Sequence, residues 1–306
     1  MSWSADIVVG GSRAFTRAIV RLPAPNFSEG LTTAGFGAPN YERALTQHEA
    51  YCVALEQCGL TLIRLEADAL HPDSTFVEDT AVLVTHHQGT RAAEPYDDVD
   101  GRSHPLTQVV LTRPGADSRA GEVASIGEVL SDFYPSLFSI QSPGTLDGGD
   151  VCEAGNHFFI GISARTNEAG AQQLAELLAS FGHTTSFVDI RGLNGKESVP
   201  GAVATGSAFE GILHLKSGLS YIGDQRLVVI DALAKHKDFG KYDLVRVNDD
   251  ETYAANCVRV RDHVLVAAGF PVLTERLREL GYQTIALEMT EFQKMDGGLS
   301  CLSLRF

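Results

Sequence analysis

Cys301, in the stretch DGGLSCLSLRF, and His214, in GILHLKSG, are the residues of this chain best suited to covalent catalysis. A thiolate is a strong nucleophile, and an imidazole moves protons near neutral pH. Each has a plain alternative. A lone cysteine in an apolar strand is usually inert packing, and a histidine flanked by Leu213 and Leu215 is usually structural. A single cysteine with histidine and acid elsewhere in the chain is nevertheless a pattern of nucleophilic enzymes. The acids come in two groups. Asp73, Glu78 and Asp79 lie in HPDSTFVEDTAVLV, and Asp147 and Asp150 in SPGTLDGGDVCE. If 75–85 is a strand, Glu78 and Asp79 point to opposite faces. The plain reading makes them solvated carboxylates at a strand end, since burying them unpaired is costly. Glycines around Asp147 and Asp150 allow close backbone approach, and the plain reading makes these acids turn stabilisers. The spacing matches neither a calcium loop nor a phosphate-binding glycine loop. Arg113 in LTRPGADSR and Arg165 in GISARTN are either surface residues or a bidentate grip on a carboxylate. His86 and His87 lack the companions a metal site needs.

These residues follow a repeated helix-then-strand pattern. Apolar spacing predicts helices over 41–58, 119–133, 167–181, 231–238 and 271–281. Strands are expected after each, at 60–66, 136–141, 184–189, 243–247 and 282–288. Further short strands are expected at 75–85, 146–152, 158–162, 211–217, 221–223, 257–260, 264–268 and 300–305. The result is five modules of about 50–60 residues, a period that suggests a propeller-like α/β repeat within one domain, 1–306. An open α/β sheet is the other architecture this alternation allows. The polar stretch 86–108 and the Gly-, Ala- and Ser-rich stretch 191–209 read as loops inserted between modules.

Composition narrows the partners. Among 306 residues, Lys plus Arg is 24 and Asp plus Glu is 39, a net charge of −15. That balance disfavours nucleic acid and anionic membrane surfaces and suits a cationic small molecule. No apolar run reaches the roughly 18–20 residues of a membrane helix. Five scattered cysteines with no CxxC spacing argue against a disulfide framework or structural zinc, and for a reducing, cytoplasmic setting.

Read together and in order, PDSTFVEDTAVL, LTRPGADSR, LDGGDV, FFIGISARTNEAGA, LHLKSG, AANCVRV and DGGLSCLS resemble the dimethylarginine dimethylaminohydrolases. The resemblance runs from about Arg17 to Phe306, and its most specific parts are the FVED strand and the LDGGDV-to-RTN block. It implies a five-bladed, pseudo-symmetric ββαβ propeller with a central active site, in the superfamily of guanidino-group-modifying enzymes. It implies Cys301 as nucleophile, His214 as general acid and base, and Asp147 as the carboxylate that orients and charges His214. It implies Asp73, Glu78 and Asp79 around the guanidinium, Arg113 and Arg165 on the substrate carboxylate, and a Leu31 backbone carbonyl on its amine. The implied reaction hydrolyses Nω-methylated arginine to citrulline and an amine without metal or organic cofactor. The partner is then the small-molecule substrate, with a homodimer left open. Met295 and Leu302 stand where some family members carry a smaller aliphatic residue and a second cysteine. The alternatives are an arginine deiminase-type hydrolase of the same fold and a non-catalytic binder of arginine-like ligands.

Overall fold

The computed structural model describes residues 15–85, 96–97, 103–104, 107–193 and 211–306. Its described core is a ring of five three-stranded sheets. The second sheet shows the repeat plainly. Ala81–Thr85 runs antiparallel to Thr107–Leu111, the helix Glu122–Ser131 crosses back, and Leu137–Ser139 returns parallel to the middle strand. The third sheet repeats this with Val151–Ala154, His157–Ile162, the helix Glu168–Ser180 and Thr184–Asp189. The fifth does so with Val258–Val260, His263–Ala267, the helix Pro271–Glu279 and Gln283–Leu287. The first sheet closes the ring. Its middle strand Arg17–Arg21 pairs parallel with Thr61–Leu65 across the helix Tyr41–Gln57, and antiparallel with the C-terminal strand Leu304–Arg305. The fold is thus the five-bladed ββαβ propeller expected.

The fourth sheet departs from the expected pattern. Leu219–Tyr221, Arg226–Ile230 and Asp243–Val247 pair as in the other sheets, but no α-helix forms over 231–238. Turns and a short 3-10 helix, Lys237–Phe239, make the crossover instead. Within 231–238 only Leu233 is a buried apolar side chain, so no stripe exists for tertiary packing to hold a helix in place. Two of the helices elsewhere open on capping asparagines: the side chains of Asn40 and Asn167 accept from the amides of Arg43 and Gly170.

Apolar clusters fill the seams between neighbouring sheets. One joins the first and second sheets through Ile19, Val109, Ile126 and Leu304, and another joins the second and third through Val110, Leu146 and Ile160. Leu227, Val228 and Val229 are all fully buried, as befits middle strands packed on both faces. The insertion expected at 86–108 lies mostly outside the described residues, as do His86 and His87. Its described pieces, Tyr96–Asp97 and Ser103–His104, pair antiparallel, and the strand Thr107–Leu111 begins inside its expected end. Of the stretch 191–209, only the 3-10 turn Arg191–Leu193 is described.

One local feature places the chemistry. Just before the first strand of each sheet the chain makes a 3-10 turn: Val77–Thr80, Gly148–Asp150, Leu215–Ser217, Asp249–Ala255 and Ser300–Leu302. Such a turn takes the place of the first part of the expected strands at 75–85, 146–152 and 300–305. The expected strand at 211–217 does not form: that stretch ends in the turn Leu215–Ser217, and the strand begins only at Leu219. A turn frees its polar side chains from alternating between two sheet faces. Glu78 and Asp79 therefore do not obey the strand rule, and both are buried rather than solvated.

Candidate active site

Three of these turns converge on one small cavity of about 20 Å³, whose lining includes Asp73, Asp79, Arg165, His214, Met295 and Cys301. His214 caps the turn Leu215–Ser217, and its Nε2 lies 3.0 Å from Oδ2 of Asp147, the residue that caps Gly148–Asp150. Asp147 is fully buried, and its Oδ1 accepts from the Gly115 amide at 2.8 Å. Asp150, on the same turn, accepts from the Leu215 amide at 2.9 Å and from the hydroxyls of Ser163 and Thr166 at 2.6 and 2.7 Å. It is more than a local turn stabiliser, because it ties the residue after His214 to the third sheet. Burial raises its carboxyl to about 6, despite those donors and His214.

The two glycines of the LDGGDV motif are needed for space. A Cβ on Gly149 would meet Asp79 Oδ1 and His214 Cγ at 2.8 Å, and one on Gly148 would strike the Glu78 carbonyl. The Gly149 amide instead donates to Asp79 Oδ1 at 2.8 Å. The other Asp79 oxygen is held at 2.5 Å by Nη1 of Arg119. Arg119 also binds Glu122 at 2.7 Å and donates to the Asp73 and Phe76 carbonyls. Arg119 and Glu122 are absent from the sequence-based site. The signal available was their spacing: an arginine and a glutamate three residues apart at the start of a helix, inside the LTRPGADSR motif and its continuation.

Charge is arranged tightly here. Burial opposes the charge on His214, but Asp79, Asp147 and Asp150 outweigh it and hold the imidazolium up to about 9. Burial also works against Asp79, yet His214, Arg119 and the Gly149 amide hold it down at about 2. Cys301 is pushed up to about 12, by burial first and then by Glu78 and Asp79. The resting pair near neutral pH is therefore a thiol and an imidazolium. Asp73 is raised by burial, against the pull of the Leu31 amide.

The remaining expected residues divide. Arg165 lines the cavity. Leu31 reaches it on the loop over 30–39, its amide donating to both Asp73 oxygens at 3.1 and 3.0 Å. Arg113 stands outside that lining, with Nη1 on the Gly144 carbonyl at 3.1 Å. Glu78 faces the other way. It meets Lys216 Nζ at 2.7 Å and accepts from Ser300 Oγ at 2.6 Å, forming a floor beneath Cys301. Beyond that floor lies a larger cavity of about 180 Å³ lined by Glu78, Lys216, Arg259 and Arg305 among others. It is the roomier of the two, but neither His214 nor Cys301 lines it. Ligand atoms of Asp79, Asp147 and His214 lie within 4.8 Å of one another. Asp147 and His214 already bind each other, and the two carboxylates also accept from two amides and from Arg119, whose charge opposes a second cation.

No model of a known protein family matches the chain. Whole-chain relatives do. It is 37% identical over 293 residues to an N(G),N(G)-dimethylarginine dimethylaminohydrolase of Pseudomonas aeruginosa, covering 95% of this chain and 100% of that protein. It is 29% identical to the enzyme of that name from Streptomyces coelicolor, covering 94% of this chain and 96% of that one. Among solved structures it is similar to the Pseudomonas aeruginosa enzyme, as a cysteine-to-serine mutant complexed with citrulline. That match has a TM-score of 0.80 and 34% identity, and covers 96% of this chain and 100% of that chain. The N-terminal domain of a cyanobacterial arginine dihydrolase shares the fold, with a TM-score of 0.74 at 16% identity, covering 96% and 97% of the two chains. A buried thiol, a carboxylate-bound imidazole and buried acids thus sit on a scaffold shared from end to end, and the chain belongs to the dimethylarginine dimethylaminohydrolases, hydrolases of the guanidino group.

Proposed function

We propose that this chain hydrolyses asymmetric dimethylarginine and monomethylarginine to citrulline and dimethylamine or methylamine, through a covalent intermediate on Cys301. The observation that carries the reading is the single cavity lined by the Cys301 thiol, the His214 imidazole and the Asp73 and Asp79 carboxylates. A guanidinium binds as a planar cation, and its carbon resists attack until carboxylates fix the plane and share the charge. Asp79 suits that task because it stays ionised under all ordinary conditions.

His214 is already protonated near neutral pH, so it does not take the thiol proton. The arriving guanidinium supplies what is missing: its positive charge offsets Glu78 and Asp79, which raise the thiol, and the proton leaves to solvent. The thiolate then attacks the guanidinium carbon. The C–N bond to the methylated nitrogen breaks as His214 gives that nitrogen a proton, leaving a thiouronium on Cys301. Water adds to the same carbon as neutral His214 accepts one of its protons, and the C–S bond then breaks as the remaining hydroxyl proton passes to sulfur, releasing citrulline and restoring the thiol. No step requires a metal or an organic cofactor.

Arg165 at the cavity wall offers a charge-assisted grip on the substrate carboxylate. Arg113 would join it only by leaving the Gly144 carbonyl, and the Leu31 carbonyl would receive the amine from the loop over 30–39. About 20 Å³ holds little more than a water molecule, so that loop opens to admit substrate. Leu213, Met295 and Phe76 give apolar room for N-methyl groups, which donate no hydrogen bonds. All of these residues come from one chain, so a homodimer would add nothing required for turnover. A reducing, cytoplasmic setting suits a chain whose five cysteines are all free. Among the described residues no helix is long and apolar enough to cross a membrane.

Citrulline release from dimethylarginine, monomethylarginine and arginine, with Cys301→Ser as control, tests the reading. The methylated substrates are expected to lead in kcat/KM, and the serine variant to lose several orders of magnitude of turnover while still binding citrulline. Arginine ahead by tenfold, about 1.4 kcal/mol of transition-state preference, would refute the substrate. A serine variant retaining about a tenth of wild-type turnover would refute the nucleophile.

A further inference from the structure

The reaction leaves one of the five inner turns without a role, the turn Asp249–Ala255 that ends in Asn256. Asn256 is buried, lies in the AANCVRV motif, and does not line the cavity that holds Cys301. Its carboxamide nevertheless uses every hydrogen-bonding direction but one lone pair. Oδ1 accepts from the Ser300 amide at 2.9 Å, and Nδ2 donates to Ser300 Oγ at 3.0 Å and to the Lys216 carbonyl at 2.9 Å. Ser300 is the residue before Cys301, and Lys216 is two residues after His214.

The side chains complete a closed circuit. Ser300 Oγ donates to Glu78 Oε2 at 2.6 Å, and Glu78 Oε1 meets Lys216 Nζ at 2.7 Å. One small amide therefore links the turn carrying the thiol to the turn carrying the imidazole, with the Glu78–Lys216 ion pair as the second link. The fit is close. A Cβ on Gly298 would sit 2.6 Å from Asn256 Cγ, and the Gly298 carbonyl accepts from the Cys301 amide at 3.2 Å. The carboxamide thus abuts the segment that sets where Cys301 stands.

We propose that Asn256 is a positioning residue for guanidine hydrolysis, holding the Cys301 and His214 turns at the separation the two-step transfer requires. It touches no substrate, and it acts by fixing two groups that do. The inference rests on the roles proposed above for Cys301 and His214. Both steps need sulfur and imidazole on the same carbon centre, and a displacement of about 1 Å costs on the order of a hundredfold in rate. Aspartate has the same shape but no N–H. It keeps the Ser300 amide, faces the Lys216 carbonyl with oxygen, and adds charge beside Glu78.

Asn256→Asp and Ser300→Ala test this, each assayed for kcat and KM on dimethylarginine, for citrulline binding by calorimetry, and for the pH dependence of Cys301 alkylation by iodoacetamide. For Asn256→Asp, kcat falls by about a hundredfold, citrulline affinity stays within about threefold, and alkylation shifts to higher pH. Ser300→Ala, which removes the hydroxyl and keeps the backbone, loses about tenfold in kcat with the same unchanged affinity. If Asn256→Asp does not fold, Ser300→Ala decides alone. A kcat within about threefold of wild type in the folded variants overturns the role. So does a parallel fall in kcat, citrulline affinity and unfolding temperature with an unmoved alkylation profile, since that marks a purely structural residue. Wild-type protein inactive on methylated arginines would instead overturn the reaction itself.

Discussion

Replacing Asp147 by asparagine changes one atom at the centre of the charge arrangement. The carboxylate has two partners, the Gly115 amide on Oδ1 and His214 Nε2 on Oδ2, at 2.8 and 3.0 Å. Asparagine has only one oxygen. Gly115 N–H can only donate, so the oxygen stays there and the new NH2 turns toward His214. Two donors cannot face each other, so His214 gives up the proton on Nε2. The loss of a charge-assisted hydrogen bond is about 1.5–3 kcal/mol, or about 10- to 150-fold in kcat. The wrong tautomer of a catalytic histidine raises the loss toward ~10⁴, as it does in serine proteases.

The same substitution has a pH signature. His214 is held up to about 9 in the folded chain, above its ordinary value of 6.5. A group raised on folding stabilises the protein fully below its unfolded value, and that stability fades as pH rises through the folded one. Wild-type stability should therefore decline between about pH 6.5 and 9, and Asp147→Asn should flatten that decline. The assays are kcat for citrulline release across this range and urea unfolding at its two ends. An asparagine variant within about threefold of wild-type kcat throughout, with an unchanged stability slope, would refute the reasoning.

Two further outcomes are expected. Arg119→Met leaves Asp79 and Glu122 buried without their shared cation, and should cost about 3–5 kcal/mol of unfolding free energy, measured by urea denaturation. A loss below about 1 kcal/mol, the level of an exposed pair, would show the cluster is not buried in solution. Arg165→Ala should raise KM for amino-acid guanidines by about tenfold while leaving agmatine, which lacks the carboxylate, nearly unchanged. Equal losses on both would make Arg165 structural.

Local chemistry alone determines a good deal of this protein. Each module writes its own helix period and strand period, so five repeats are visible without knowing how they meet. Asn167 announces a helix start because a cap bonds within its own turn. The motifs around Cys301, His214 and Asp147 are legible as a family because they recur in order along the whole chain, whereas each residue taken singly reads as packing or a turn. The crossover at 231–238 shows the limit of periodicity: a helical spacing with Leu233 as its only buried apolar side chain has nothing to pack with. Closure of the ring decided the rest. Glu78 and Asp79 are adjacent in sequence yet serve opposite sides of a floor, because their turn presents one to Lys216 and the other to Arg119. Arg119 and Asn256 are not legible as site residues because the groups that tie them to the site, Asp79 for Arg119 and Lys216 and Ser300 for Asn256, lie 40 or more residues away in sequence. Sequence spacing can report a turn or a helix face. Only the joining of the first strand to the last brings five turns to one axis, where their unlike charges are buried together and shift one another.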